Sequence, residues 1–242
     1  MEKIINYENL RNFTYVNDTI CKMPIKGIVI SFFGLGGMTM YDDDDFTDGE
    51  LYAEKGILYI VPYNNPWAWM NKQAVKYTDE IIDILIKKFD LDENIPIVST
   101  GPSMGGQSAL VYTAKAKHTP VACVANCPVC DVVYHFTERK DLPRTLYSSL
   151  FNEEGTFEDA LKSISPLHLI DKMPKVKYHI FHCDKDLSVN IDAHSEKFIA
   201  ELKQRKYDYT YDVVNGRGHC KLTLEMQRKF TEYVISEIES CI

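Results

Sequence analysis

The fold of this chain is decided by the stretch Ile97-Val98-Ser99-Thr100-Gly101-Pro102-Ser103-Met104-Gly105-Gly106. A short apolar, β-branched run ends at Gly101, and residues 107–115 have a helical pattern. The G-x-S-x-G pattern predicts a strand, a sharp turn and a helix, with Ser103 at the apex of the turn. A serine in that position adopts a strained backbone with positive φ, so its neighbours need little side-chain bulk. An ordinary Gly-Ser turn is the competing interpretation, and the rest of the chain decides between the two.

The composition is that of one large folded domain, and we expect residues 1–242 to form it. Of the 242 residues, 45% are hydrophobic and 26% are charged, and the formal net charge is -8 at pH 7. A chain of this size buries roughly 70% of its unfolded surface, so it needs no disulfide or structural metal. The negative charge and the lack of a basic stripe argue against nucleic acid or an anionic membrane as a partner.

The cysteines are expected to be free thiols in the cytoplasm. Residues 1–6 lack the apolar core of a signal peptide, and no stretch approaches the ~18 apolar residues of a membrane span. The seven cysteines are an odd number, and a reducing compartment keeps them reduced. Cys127 and Cys130 form a C-x-x-C, but two further zinc ligands at matching spacing are missing. We therefore predict no metal site and no cofactor.

Apolar runs alternate with helical patterns along the chain. Short runs typical of strands occur at residues 27–33, 57–61, 97–101, 121–125, 177–183 and 207–214. Helical patterns occur at residues 46–55, 72–89, 107–115, 189–204 and 222–238. An antiparallel hairpin is expected within residues 1–24. The alternation predicts an α/β fold, with a mostly parallel central sheet flanked by helices on both faces.

Residues 131–163 lose the strand character and become mixed helical and polar. We interpret them as a helical lid insertion within the single domain, bounded by Ser165-Pro166. Such an insertion is expected to cover the site, to exclude water and to narrow the entrance.

A glycine cluster, Gly34-Leu35-Gly36-Gly37, follows the first long apolar strand. Glycine lets backbone N–H groups face a ligand without an intervening side chain, so Gly34 and Gly36 are expected to contact substrate. Four aspartates at residues 42–45 are interpreted as the solvated start of the next helix, because acidic residues suit a helix N-terminus.

The carboxyl ends of parallel strands meet at one edge of a sheet, where functional groups collect. One predicted loop at that edge carries Asp184 and Asp186, and the next ends in His219. A serine hydroxyl becomes nucleophilic when an imidazole takes its proton, and that imidazole needs an acid on its other nitrogen. Ser103 and His219 therefore predict nucleophilic catalysis, with Asp186, Asp184 or Asp131 as the acid.

Further groups at this edge complete the predicted site. The oxyanion of acyl transfer needs preset donors, which we expect to be the N–H groups of Leu35 and Met104. Trp67 and Trp69 lie in a proline-rich loop after a strand. They either pack beneath that loop or form an apolar wall for the substrate.

The remaining histidines are expected to be structural. His179 and His182 alternate with aromatic residues on a predicted strand, so we expect them in the interior. His135 and His194 are expected in loops or at the surface.

The sequence resembles the α/β-hydrolase superfamily, nearest to its small esterases and its prolyl-oligopeptidase-like branch. The resemblance extends from about residue 25 to the C-terminus and rests on Gly101–Gly106, Phe33–Gly37, Ser165-Pro166, Asp184-Lys185-Asp186 and Gly218-His219. It implies hydrolysis of an ester, thioester or amide through an acyl-enzyme on Ser103, with His219 as base and Asp186 as acid. Three positions depart from the usual pattern. Phe33 stands where many members have histidine, Pro102 is unusual before the nucleophile, and Cys183 stands in a glycine position.

We therefore expect a carboxylesterase that acts on small-molecule acyl substrates, as a monomer or a homo-oligomer. A base with the ordinary histidine pKa predicts activity that rises between about pH 6 and 7.5. A thioesterase or a peptidase of the prolyl-oligopeptidase type is the first alternative, although only about 25 residues precede the predicted sheet and such peptidases carry an extra domain there. A hydrolase-fold binding protein without activity is the second.

Overall fold

The computed structural model of the protein describes residues 4–37, 41 and 47–242, and the aspartate run at residues 42–45 lies outside them. Within these ranges the strands are β1 (Thr14–Val16), β2 (Gly27–Ser31), β3 (Ile57–Pro62), β4 (Ile97–Pro102), β5 (Ala122–Asn126), β6 (Lys177–Cys183) and β7 (Asp208–Val214). They form one sheet in the order β1-β3-β2-β4-β5-β6-β7. All neighbours from β3 to β7 pair in parallel, and β1 is antiparallel to β3. The predicted mostly parallel sheet is confirmed.

Helices cover both faces of this sheet. They are α1 (Thr47–Glu54), α2 (Lys72–Phe89), α3 (Met104–Lys115), α4 (Val132–Glu138), α5 (Leu142–Leu150), α6 (Phe157–Ser163), α7 (Pro166–Leu169), α8 (Ser195–Gln204) and α9 (Leu224–Glu239). The buried sides of α2, α3 and α8 share one hydrophobic core, and the buried sides of α1 and α9 share a second core. The strands lie between two apolar layers, which explains their near-continuous apolar sequences. Within the described ranges, no helix is long and apolar enough to span a bilayer.

The predicted N-terminal hairpin is wrong. Tyr7–Asn12 form a 3₁₀ helix instead, and the Asn6 and Asn9 side chains cap it reciprocally. Leu10 is buried in the core from this helix. The single strand that follows, β1, pairs with β3 and not with a sequence neighbour. An asparagine cap and one buried leucine fix the helix here, which the short alternating pattern does not reveal.

The insertion at residues 131–163 forms three short helices, α4 to α6. Their buried apolar side chains pack against Trp69 and Met104 in a third hydrophobic cluster. Glu138 on α4 accepts hydrogen bonds from His135 and from His194. Both histidines are buried, at 2% and 0% exposure, so the expectation that they lie at the surface is wrong. The pair of imidazoles and the carboxylate satisfy one another and fasten the insertion to the segment before α8.

Candidate active site

Ser103 occupies a sharp turn between β4 and α3. Its backbone has φ 58° and ψ -123°, outside the regions that non-glycine residues usually adopt. The turn is fixed on both sides, because the Ser103 N–H donates to the Asn126 carbonyl at 2.8 Å and the Ser103 carbonyl accepts from the Gln107 N–H at 3.0 Å. The predicted strand, turn and helix with positive φ at the serine are confirmed. Such a conformation costs about 1–3 kcal/mol and persists only where the surroundings enforce it.

The glycines beside Ser103 are needed for space. A Cβ on Gly105 would lie 2.1 Å from the Phe32 carbonyl oxygen, and one on Gly101 would lie 2.4 Å from the Gly105 carbonyl carbon. Both distances are far below van der Waals contact. The glycines therefore let the start of α3 approach the end of β2, and this approach also brings Gly34 beside the serine.

The hydroxyl, imidazole and carboxylate predicted from three distant loops lie in one hydrogen-bonded chain. Ser103 Oγ is 2.9 Å from His219 Nε2, and His219 Nδ1 is 2.6 Å from Asp186 Oδ2. Because a carboxylate only accepts, Nδ1 carries the proton and Nε2 presents its lone pair to the serine hydroxyl. The structure thus brings together the three residues that the sequence singled out.

The Asp186 carboxylate is buried and fully engaged. Its side chain has 0% exposure. Oδ1 accepts the N–H groups of Ser188 and Val189 at 2.8 and 2.9 Å, and His182 Nε2 lies 3.5 Å from Oδ2. Burial alone would raise the pKa of Asp186, but these hydrogen bonds with His182, His219 and Val189 together lower it well below its usual range. The carboxylate therefore stays ionised next to the imidazole.

The charge of Asp186 acts on His219. Burial alone would lower the pKa of His219, but the hydrogen bond to Asp186, that to Cys127 and the carboxylate charge raise it from 6.5 to about 9. The Cys127 thiol contributes no charge at neutral pH, because its hydrogen bond with Cys220 and its burial raise its own pKa. Asp186 is therefore the charged neighbour that stabilises the protonated imidazole.

The other two candidate acids lie elsewhere. Asp184 Oδ1 accepts the Gly216 N–H at 2.6 Å, which holds the loop that leads to His219. Asp131 caps α4 by accepting the Tyr134 N–H at 3.0 Å. Neither carboxylate is hydrogen-bonded to His219, so Asp186 is the acid that the geometry selects.

The glycine loop that follows β2, residues 34–37, has its first residue beside Ser103. Gly34 lies beside Ser103, since a Cβ on it would be 3.9 Å from the serine Cβ. Met104 is the first residue of α3, so its N–H has no acceptor within the helix. Gly36 behaves differently from our expectation, because its N–H donates to the Pro66 carbonyl at 3.1 Å and holds the loop in place. Leu35 lies between these two glycines and packs against the cluster beneath the insertion.

The two tryptophans have different surroundings. Trp69 is 1% exposed, and its Nε1–H donates to Thr145 Oγ1 of α5 at 3.1 Å. Because the Trp69 ring is buried beneath the insertion, it does not face a substrate. The expectation that Trp69 forms a wall for the substrate is therefore wrong. Trp67 is 36% exposed and lines a separate cavity of about 400 Å³, with Asn71 and Ser149 among its other walls.

A larger cavity of about 910 Å³ opens beside the serine turn. It reaches Gly34, Pro102 and Cys220, each next to a member of the hydrogen-bonded chain. Asn126 also lines it, and Asn126 Oδ1 is buried with no hydrogen-bond donor among the described residues. The described lining combines aromatic and aliphatic side chains with polar and charged ones. The first group includes Phe33, Leu51, Tyr52, Tyr59, Val61 and Phe230, and the second includes Asp48, Arg228 and Glu232.

The sequence matches the prolyl oligopeptidase family over residues 66–236, which is more than half of the chain. The chain belongs to the prolyl oligopeptidase family. The predicted relationship to the α/β-hydrolase superfamily is therefore confirmed. No curated protein sequence matches the chain.

Solved structures with the same fold include esterases and peptidases. A truncated carbohydrate esterase from gut microbiota has a TM-score of 0.68 at 16% identity, and the match covers 90% of this chain and 87% of that one. An S-formylglutathione hydrolase from Agrobacterium tumefaciens has a TM-score of 0.66 at 15% identity, covering 88% and 83%. A puromycin-hydrolyzing peptidase from Mycobacterium tuberculosis has a TM-score of 0.64 at 17% identity, covering 82% and 31%. This family member thus spans about a third of the length of that peptidase.

The sequence analysis missed the residues directly behind the hydrogen-bonded chain. Cys127 Sγ accepts the N–H groups of Cys183 and Cys220, each at 3.4 Å, and Cys220 Sγ lies 3.5 Å from His219 Nε2. Cys127 and Cys220 have positive φ, of 47° and 56°, as Ser103 does. The sequence marked this region only by the C-x-x-C at Cys127 and the departure at Cys183, because the three thiols are far apart along the chain and meet only in the fold.

Proposed function

We propose that this family member is a serine hydrolase that cleaves carboxylic esters through an acyl-enzyme on Ser103. The observation that carries the proposal is the unbroken chain of hydrogen bonds from Ser103 Oγ through His219 to the ionised Asp186. This arrangement supplies a nucleophile, a base and an acid that fixes the tautomer of the base. Membership in the prolyl oligopeptidase family supports the same conclusion.

The proposed reaction has two balanced steps. Ser103 Oγ bonds to the ester carbonyl carbon while its proton moves to His219 Nε2, and the negative oxygen accepts the N–H groups of Leu35 and Met104. The intermediate collapses, the C–O bond of the ester breaks, and the alcohol leaves with the proton from His219. Water then attacks the acyl-enzyme through the same base, which releases the acid and restores Ser103.

The substrate is proposed to be an ester with a small to medium acyl group. The cavity beside Gly34 and Pro102 has room for such a group, and the aromatic and aliphatic side chains of its lining suit an apolar one. The esterase neighbours are covered over most of their length, which supports an ester substrate for a chain of this size.

The insertion at residues 131–163 is proposed to act as a cover for the site. Its helices pack on Trp69 and Met104, directly beside the serine turn. Asn71 and Ser149 fasten it further, through the bond from Asn71 Nδ2 to the Ser149 carbonyl and the bond from Ser149 Oγ to the Ala68 carbonyl. A cover held this firmly would select substrates by shape and exclude water.

Peptide hydrolysis is the second candidate, and family membership favours it. The two activities are separated by a matched pair of substrates, an ester and an anilide with the same acyl group, assayed with the wild-type chain and with Ser103→Ala. We expect ester cleavage in the wild type, anilide cleavage at least about a hundredfold slower in kcat/KM, and neither in the variant. Faster cleavage of the anilide would make the protein a peptidase, and ester cleavage by Ser103→Ala would contradict the proposed nucleophile.

A further inference from the structure

Three side chains behind the serine form a cluster with the chemistry of a metal site. Cys127 Sγ, Cys220 Sγ and a ring nitrogen of His219 lie within 4.8 Å of one another. Two thiols and one imidazole are soft and borderline ligands, the set that Zn²⁺ and Cd²⁺ prefer. We propose that this cluster binds one thiophilic divalent cation and that the bound cation inhibits the enzyme. The inhibition rests on the proposed function, whereas the binding does not.

The distance between Cys220 Sγ and His219 Nε2 fits two ligands of a tetrahedral ion. With Zn–S of about 2.3 Å and Zn–N of about 2.0–2.1 Å, a tetrahedral site separates sulfur from nitrogen by about 3.6 Å. Cys220 Sγ is 3.5 Å from His219 Nε2 in this structure. The separation of these two ligand atoms is therefore already that of a bound ion, which would take the place of the Ser103 hydroxyl beside Nε2.

Hydrogen bonds around His219 and Cys127 suit these two residues to metal binding. A metal-binding histidine almost always donates its other ring N–H to a carboxylate, and His219 Nδ1–H donates to Asp186 at 2.6 Å. Cys127 Sγ already accepts two backbone N–H groups, from Cys183 and Cys220, which stabilise negative charge on the sulfur. A divalent cation replaces the two thiol protons one charge for one, so the net charge of this buried region does not change.

The site is accessible from the serine side. Cys127 is buried, but Cys220 is partly exposed and the His219 side chain is 27% exposed. The lone pair of His219 Nε2 that would bind the ion is the one that faces Ser103 Oγ at 2.9 Å. An ion on that nitrogen prevents it from taking the serine proton, so occupancy and catalysis exclude each other.

The test titrates Cd²⁺ into the reduced full-length chain and follows the ultraviolet charge-transfer band of Cd–thiolate bonds. Cys220→Ser removes a partly exposed ligand, and Cys241→Ser is the matched control, because Cys241 is the exposed thiol on the far C-terminal segment. Ser103→Ala shows whether binding is independent of activity. Circular dichroism confirms that each variant is folded.

We expect one Cd²⁺ per wild-type chain, with unchanged affinity in Cys241→Ser and Ser103→Ala and at least about tenfold weaker binding in Cys220→Ser. Ester hydrolysis by the wild type should be inhibited at the same Cd²⁺ concentrations, and a chelator should restore it. A wild-type chain without the band, or equal affinity in Cys220→Ser, would overturn the site. Binding without inhibition would overturn its link to catalysis. A chain that binds Cd²⁺ as expected but hydrolyses no ester would instead count against the proposed function alone.

Discussion

Asp186 accepts a 2.6 Å hydrogen bond from Nδ1 of His219, although 33 residues of chain separate them. The contact is made by two neighbouring strands. β6 and β7 pair in parallel up to Cys183 and Val214, so the loops that follow leave the sheet side by side. Asp186 follows the end of β6 by three residues and His219 follows the end of β7 by five, so both side chains lie at the same edge of the sheet, where they meet.

Asparagine substitutions should distinguish the roles of Asp186 and Asp184 in the loop after β6. Asp186→Asn is expected to lower kcat by about 10³ to 10⁴, because an amide neither fixes the tautomer of His219 nor stabilises its cation. Asp184→Asn keeps an oxygen for the Gly216 N–H and should stay within about threefold of the wild type. Steady-state kinetics on one ester measures both. A larger loss in Asp184→Asn would move the acid to that position.

The pH dependence should be shifted to the alkaline side of the range expected from an ordinary histidine. The pKa of His219 is raised from 6.5 to about 9, and only the neutral ring accepts a proton. Activity is therefore lost as the pH falls through the raised pKa, and kcat/KM should keep rising above pH 7.5 with a midpoint at or below about pH 9. A profile that is already level at pH 7 would show that Asp186 does not stabilise the charged ring.

Because Gly105 lies close to the Phe32 carbonyl, an alanine should destabilise the fold more at Gly105 than at Gly36. Gly105→Ala should lower the free energy of unfolding by at least about 3 kcal/mol, since the new methyl group would overlap the Phe32 carbonyl oxygen. Gly36→Ala meets no atom of the described residues within 4 Å and should cost only about 1 kcal/mol for its positive φ. Urea unfolding of both variants measures the difference. Equal losses would mean that the space beside Gly105 is not restrictive.

The carboxylate that joins α4 to the segment before α8 should matter for stability. Burial would raise the pKa of Glu138, but hydrogen bonds from His135 and His194 lower it to about 2. Its stabilising effect is therefore present above the unfolded pKa of about 4.3 and is lost as the pH falls toward 2.

Glu138→Gln is expected to cost about 1–3 kcal/mol at pH 7, as measured by urea unfolding. The control is Glu158→Gln, because Glu158 pairs with Lys162 at an exposed helix surface where its side chain is 65% accessible. That change should stay within about 0.5 kcal/mol. A loss in Glu138→Gln no larger than in the control would remove this network from the forces that hold the insertion.

Much of the fold could be predicted because its signals are local. Helix α2 and strand β6 have the bounds that the sequence indicated, since an amphipathic period and a short run of aromatic and aliphatic residues are properties of neighbouring residues. The turn at Ser103 could also be predicted, because Gly101 and Gly105 lie two residues before and after it. The N-terminal 3₁₀ helix was missed because one side-chain cap outweighed a weak strand pattern.

The parts of the site that could not be predicted depend on contacts between distant loops. The choice of Asp186 over Asp184 was predicted only from the resemblance to the α/β-hydrolase superfamily, because it depends on which carboxylate turns toward the ring. The buried positions of His135 and His194 follow from a shared partner, Glu138, which lies on the same helix as His135 but 56 residues from His194. The thiol cluster has the same origin, since Cys127 and Cys220 are 93 residues apart.

The most direct test of Ser103 as an activated nucleophile is covalent labelling with a fluorophosphonate, followed by mass spectrometry of the digested chain. We predict a single adduct on Ser103 in the wild type, no adduct in Ser103→Ala, and labelling slowed by at least about a hundredfold in His219→Ala, because the probe reacts only with an activated hydroxyl. An unlabelled wild-type chain, or an adduct on a residue other than Ser103, would contradict the claim that these three residues form a working nucleophile.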